Sequence, residues 1–356
     1  MKRILVFTTQ LLETGGIESH LLEFCKQLHA HGLVIDLVVL NADVNPENAT
    51  LYQHYCNKIF WGKGGNSLLK AIWLLSTALR LTLLKYDALY TNGQGESIQK
   101  LRFFIRLKGV WVHHHHTSGD PEDQGTWGKV YWKALRSCDT LVACSGRSAV
   151  QMTSSLARKV CSVPCFSREI KLVTKFREAG KVKLGYFGRL IPEKGIDTIC
   201  ELSREEDLSN VEFHIWGKGE AYPALFFGQF PNVIYHGFFS DISGLQEAIS
   251  SIDGLLLLSI HPEGLPISLL EAMSAGLPWL ATNKGGIADI ACDPLSTRII
   301  PADSKFSQIK EAIASFINDI QDGKISREKQ QKLYAQYFSA PALVKKWCKT
   351  LHLEKF

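Results

Sequence analysis

The sequence predicts an α/β chain made of two doubly wound, parallel-sheet domains, and three features carry that expectation. Short apolar segments alternate with amphipathic segments of helical period along most of the chain, the pattern of successive βαβ units. The alternation lapses into polar, charged sequence over residues 164–180 and then starts again. At 356 residues the chain exceeds one ordinary domain and suits two.

The elements follow in order. Residues 4–7 read as the first strand, and Gly15-Gly16 opens a helix. Its apolar residues Ile17, Leu21, Leu22, Phe24, Cys25 and Leu28 recur near the 3.6-residue period, and Gly32 stops it. Further strands are predicted at 35–40, 88–91, 110–113 and 140–144, with helices between. The second series opens at 183–187 and continues with strands at 211–216, 233–235, 254–258 and 279–281, each trailed by a helix or loop. From Phe306 onward the pattern is helical, and Pro341 is placed to start the last helix, where its missing N–H costs least. The expected organisation is an N-terminal domain over 1–166, a linker over 167–182 and a C-terminal domain over 183–340. A terminal helix over 341–356 then packs back on the N-terminal domain.

Composition narrows the function classes. Hydrophobic residues make up 46%, enough for a core in each half, and disorder is not expected. The net charge of +5 is too mild for a dedicated nucleic-acid binder but compatible with an anionic substrate or membrane surface. Nine cysteines are scattered without C-x2-C pairs, which predicts reduced, buried thiols in a cytoplasmic protein, with neither a disulfide framework nor a zinc site. The N-terminal apolar run is too short for a signal peptide, and residues 68–84, though apolar, are interrupted by Lys70 and Arg80 and read as a buried or surface-docked helix.

The strongest motif runs from His261 to Pro278, after the apolar strand that ends at Leu258. Its helix opens near Pro266, where unpaired N–H groups and positive dipole density suit a diphosphate or sugar oxygen. Gly264 lets a ligand approach the backbone, with Leu265, Pro266 and Ile267 beside it. Glu263 and Glu271, eight residues apart, can each accept hydrogen bonds from vicinal hydroxyls. A second motif, Gly188-Arg189-Leu190-Ile191-Pro192-Glu193-Lys194-Gly195, follows the first strand of the second series. Arg189 and Lys194 read either as solvated loop charges or as the two cations that a departing nucleoside diphosphate needs as charge grows on it. Turns at Gly217-Lys218-Gly219 and His236-Gly237-Phe238 come next, each after a strand.

These strings resemble glycosyltransferase family 4: the E-x7-E pattern in Glu263 to Glu271, and the Gly-Arg…Lys-Gly diphosphate loop in Gly188 to Gly195. The resemblance covers most of the chain and is most specific over residues 183–289. It implies the GT-B fold, two Rossmann-like domains facing a cleft, and retaining transfer of a hexose or N-acetylhexosamine. The implied donor is a nucleotide diphosphate sugar, a UDP-sugar on family frequency, and the implied acceptor is a hydroxyl of a glycan or lipid-linked glycan in surface polysaccharide synthesis. It further implies catalytic roles for Arg189, Lys194, Glu263 and His116. Substrate-binding roles fall to Gly16, Gly188, Gly217, Gly219, Phe238, Gly264, Leu265, Pro266, Ile267 and Glu271. No Asp-x-Asp pair suggests a divalent ion, so neither a metal nor a bound cofactor is expected. Where many relatives carry an Asn-Gly loop before the linker, this chain reads Val163-Pro164-Cys165-Phe166-Ser167.

Two features stand outside that set. Four consecutive histidines, His113 to His116, alternate sides on an extended chain and cannot all converge on one metal. His113 to His115 are expected to be structural, and the resemblance places His116 at a strand end in the cleft. Residues 60–112 hold eight Lys or Arg against two acids, with basic and apolar residues interleaved from Lys100 to Lys108. That pattern fits peripheral attachment to an anionic membrane, or a core helix with a solvated basic rim. The competing functions are a sugar-nucleotide epimerase or phosphorylase of the same fold and a non-catalytic sugar-nucleotide binder. Donor consumption without acceptor transfer would mark the first.

Overall fold

The computed structural model describes residues 1–11, 15–41, 46–62, 67–92, 98, 109–172, 180–239 and 241–353. The chain divides into two compact units, one formed by Met1–Phe166 with Ala340–Phe356 and the other by Ser167–Ser339.

The first unit holds β1 (Arg3–Thr8), β2 (Val34–Val39), β3 (Lys58–Trp61), β4 (Ala88–Asn92), β5 (Val110–His115), β6 (Thr140–Ala143) and β7 (Cys161–Ser162). They form one sheet in the order β3-β2-β1-β4-β5-β6-β7, with every pair parallel. Both faces are covered, as a parallel sheet requires. On one face Ile4 and Val6 of β1 pack with Leu21, Phe24 and Leu28 of the helix Gly16–Ala30. The same core takes Leu343, Val344 and Trp347 from the C-terminal helix Ala340–Thr350. On the opposite face Leu5, Phe7, Leu89, Trp111 and Leu141 meet Tyr131 and Leu135 of the helix Lys129–Ser137.

The second unit holds β8 (Val182–Phe187), β9 (Val211–Trp216), β10 (Val233–Tyr235), β11 (Gly254–Leu257), β12 (Trp279–Thr282) and β13 (Thr297–Ile300), in the order β10-β9-β8-β11-β12-β13, again all parallel. The winding direction reverses between β8 and β11. In open α/β sheets, ligands bind beyond the carboxyl ends of the strands at such a switch point. The segment expected to be a linker is, in its described first part, pinned into this unit. Ser167 Oγ meets Tyr334 Oη at 3.0 Å, and the Ile170 N–H donates to Ser274 Oγ at 2.9 Å.

Candidate functional site

The two loops at the β8/β11 switch point are the two strongest sequence motifs. The β8 loop leaves the sheet at Gly188 and makes a single 3-10 turn, Pro192–Lys194. It then enters the helix Ile196–Leu202 through Gly195 at φ +74°. A Cβ at Gly195 would overlap the Leu258 carbonyl of the neighbouring loop, so this position needs glycine for both conformation and space. The Ile260 N–H donates to the Glu193 carbonyl at 2.9 Å and ties the two loops together.

That tie sets Lys194 against Glu263. The Lys194 ammonium donates to Glu263 Oε1 at 2.6 Å and Oε2 at 2.7 Å. Ser259 Oγ also donates to Oε1, and His261 Nε2 lies 3.5 Å from the same oxygen. Glu263 is only 7% exposed, so its charge depends on these partners. The sequence set Lys194 toward a ligand; the structure shows its ammonium engaged with Glu263 and makes the pair one unit. Arg189 is exposed, and its carbonyl accepts from Tyr186 Oη at 2.8 Å, which fixes the backbone while the guanidinium stays at the surface.

Past Glu263, Gly264 and Leu265 are buried, and Pro266 precedes the helix Ile267–Ala275. No side chain caps that helix N-terminus, and of its first-turn donors the Leu269 N–H turns back to the Pro266 carbonyl at 3.2 Å. Eight residues beyond Glu263, Glu271 is buried and takes Arg168 Nε on Oε1 at 2.7 Å. Arg168, Ser259 and His261 were missed as site residues. Arg168 lies in a stretch that reads as polar linker, and Ser259 and His261 lie in a loop where only the glutamates stand out.

The remaining glycines of the second unit interlock. A Cβ on Gly217 would overlap the Gly188 carbonyl, and one on Gly219 the Leu190 carbonyl, so these positions let the β8 and β9 loops touch. Beside them the rings of Trp216 and His236 stack with centroids 4.2 Å apart, and Lys218 Nζ sits 4.6 Å over the half-exposed Phe238 ring. Arg189, Lys194, Glu263 to Ile267 and the three glycines thus gather around one end of one sheet. Gly16 and His116 belong to the first unit, Gly16 exposed at the start of its helix and His116 half-buried one residue past β5.

Two all-parallel units of seven and six strands have the architecture of the GT-B class. Residues 14–166 match the family model for glycosyltransferase family 4, and residues 168–335 the model for glycosyl transferases group 1. The chain belongs to this glycosyltransferase family. Solved structures with the same fold include Anabaena HepE in complex with UDP and glucose, 17% identical at a TM-score of 0.78 over 99% of this chain and 100% of that one. Another is a variant of S. aureus TarM bound to fondaparinux, α-GlcNAc-glycerol and UDP, 14% identical at a TM-score of 0.78 over 99% and 100% of the two chains. The lipopolysaccharide outer core galactosyltransferase WaaB matches at 17% identity and a TM-score of 0.70 over 98% and 99%. No curated protein matches the chain by sequence.

Proposed function

We propose that this glycosyltransferase moves a hexose or N-acetylhexosamine from a UDP-sugar to a hydroxyl of a glycan or lipid-linked glycan of the cell surface, with retention and without a metal at the diphosphate. The observation that carries the donor side is the cluster at the β8/β11 switch point: an exposed Arg189, the Lys194–Glu263 pair and an uncapped helix start at Pro266. Arg189 and the helix N–H groups stabilise the charge that grows on the departing diphosphate. Glu271, fixed through Oε1 by Arg168, offers Oε2 to donor hydroxyls, and Glu263 positions the sugar. The departing phosphate takes the acceptor proton in a front-face attack, so no side chain need become a nucleophile. Retention places no demand on a metal when Arg189 supplies the positive charge. The anionic partner expected from residues 60–112 is a membrane surface on the cytoplasmic side. The helix Ser67–Thr82 supports this, because its apolar face is exposed; residues 63–66, 93–97 and 99–108, including the Lys100 to Lys108 run, lie outside the described residues.

Thermal denaturation with UDP-, GDP-, ADP- and dTDP-sugars tests the donor site. A donor at a hundred times its Kd stabilises the folded chain by roughly 2.7 kcal/mol. Wild type should respond to UDP-sugars, while Arg189→Ala and Glu271→Ala should respond far less. Equal stabilisation of Arg189→Ala by the same donor would remove Arg189 from the diphosphate site. Transfer to glycan acceptors that rises with added Mg2+ or Mn2+ would overturn the metal-free diphosphate.

A further inference from the structure

The four histidines at the end of β5 divide by register into two pairs with different surroundings. His113 Nε2 and His115 Nδ1 meet Tyr131 Oη at 3.0 and 2.9 Å, and His115 Nε2 meets Asp123 Oδ2 at 3.1 Å. On the other face, the rings of His114 and His116 lie 4.1 Å apart. They converge on Cys144, one residue past β6, and Cys165, three residues past β7. His114 Nε2 lies 3.4 Å from Cys144 Sγ, and His116 Nδ1 lies 3.7 Å from Cys144 Sγ and 3.6 Å from Cys165 Sγ. The two sulfurs are 3.5 Å apart, and all four ligand atoms fall within 4.8 Å of one another.

We propose that His114, His116, Cys144 and Cys165 hold a structural zinc ion. Zinc bonds of about 2.3 Å to sulfur and about 2.0 Å to nitrogen, arranged tetrahedrally, put donor atoms about 3.3–3.8 Å apart. Four of the six separations already lie in that range and the other two are within 4.8 Å, so side-chain adjustments of about an ångström bring all four atoms onto one ion. Binding replaces the two thiol protons, which leave to solvent. The dication with two thiolates and two neutral imidazoles is then electrically neutral, as this buried setting requires. His114, Cys144 and Cys165 are buried and His116 half-buried, which leaves one side for entry.

The surroundings fit ligation. Tyr90 Oη meets His114 Nδ1 at 2.9 Å and His20 Nε2 at 3.0 Å, an outer hydrogen-bond chain that orients the His114 ring with Nε2 toward the sulfurs. With Tyr90 Oη accepting from Nδ1–H, Nε2 is the ring nitrogen of His114 left with a lone pair for an ion. Without a metal the Cys144 thiol has only weak partners, chiefly the His115 carbonyl at 3.1 Å. A disulfide between the cysteines would leave the imidazole nitrogens unanswered. Four protein ligands close the coordination sphere, so the ion clamps the ends of β5 and β6 and the segment leaving β7 and does not bind substrate. His116 is then a ligand through Nδ1, with only Nε2 left for any other partner.

Untagged protein, since a polyhistidine tag would itself bind metal, should carry about one zinc per chain by elemental mass spectrometry. Cobalt(II) exchanged into the site should show the intense thiolate-to-cobalt charge-transfer absorption, and Cys144→Ser with Cys165→Ser should abolish both signals. Should that variant fail to fold, alkylation of the wild type decides. Cys144 and Cys165 should react slowly with iodoacetamide in the zinc form and much faster after a strong chelator. Zinc-saturated protein that retains no ion after dialysis, a cobalt form lacking the thiolate band, or alkylation rates indifferent to chelation would each overturn the proposal. So would a Cys144–Cys165 disulfide in protein trapped at isolation.

Discussion

Lys194 and Glu263 are 69 positions apart, yet each is the other's principal ionic partner, with only 13% and 9% of their side chains exposed. Two charges this secluded are held by each other, and removing one strands the other. Lys194→Ala should therefore cost about 3–5 kcal/mol of stability, while replacing both with apolar residues of similar size should cost much less. Urea unfolding of Lys194→Ala, Glu263→Leu and Lys194→Met with Glu263→Leu checks this. A single variant as stable as wild type would show that the pair is solvated and weak. Arg189→Ala, at an exposed guanidinium, should instead leave the unfolding midpoint in place and lower turnover by about 100- to 1000-fold, the loss expected when one donor to developing charge is removed. At this scale the sequence revealed the participants through the spacing of Glu263 and Glu271 and the Gly188 to Gly195 string. It could not reveal that Lys194 turns to Glu263 or that Arg168 turns to Glu271, because those partners meet only after two loops and a helix have folded. The same limit hid the Cys144 and Cys165 cluster. Sequence spacing detects metal ligands that lie on one local turn, whereas these come from the ends of three separate strand segments.

The central strands were legible, since β1, β2, β8, β9 and β11 are buried along most of their length and read as mainly apolar segments, with Asp36, Lys183, Glu212 and His214 among the exceptions. Of the four sheet edges only β10 was. β3 is half-exposed, β7 has only two residues, and β13 carries an arginine in its centre, so none offers the run that marks a central strand. The helix Ser67–Thr82 was legible as a helix, but its surface was not. Leu68, Ile72, Leu75 and Leu79 recur at helical spacing and are 67%, 55%, 49% and 60% exposed, while Thr77, Ala78 and Leu81 take the buried side. Lys70 and Arg80 are its charged residues, and it carries no acid. No described helix is long and apolar enough to cross a membrane, so such a stripe lies along a surface if it meets lipid at all. Co-sedimentation with vesicles containing anionic lipid should be strong at low salt and weaken as salt rises, and Ile72→Glu with Leu79→Glu should reduce it severalfold. Binding unaffected by those two charges would remove this helix from the membrane contact.

The chain leaves the first unit at Phe166 and returns to it at Ala340, so the last stretch is remote in sequence from the core it completes. Trp347 is fully buried, with its ring 4.8 Å from His114, 5.2 Å from Phe24 and 5.6 Å from Tyr90 by centroid. Leu343, Val344, Leu351 and Leu353 fill the same core. A tryptophan so enclosed cannot be truncated without leaving a cavity, and Trp347→Ala should cost about 3–5 kcal/mol. Where that loss is felt separates two roles for the segment. An integral element should carry its neighbours with it, because packed cores open in cooperative blocks. Hydrogen exchange followed by mass spectrometry should then show faster exchange in the helix Gly16–Ala30 and in β1 and β4, as well as in the helix Ala340–Thr350, with β8, β9 and β11 unchanged. If only the terminal helix lost protection, it would be an appendage laid over a core that is complete without it. The aromatic contacts of Trp347 with three elements of the first unit argue for the first result.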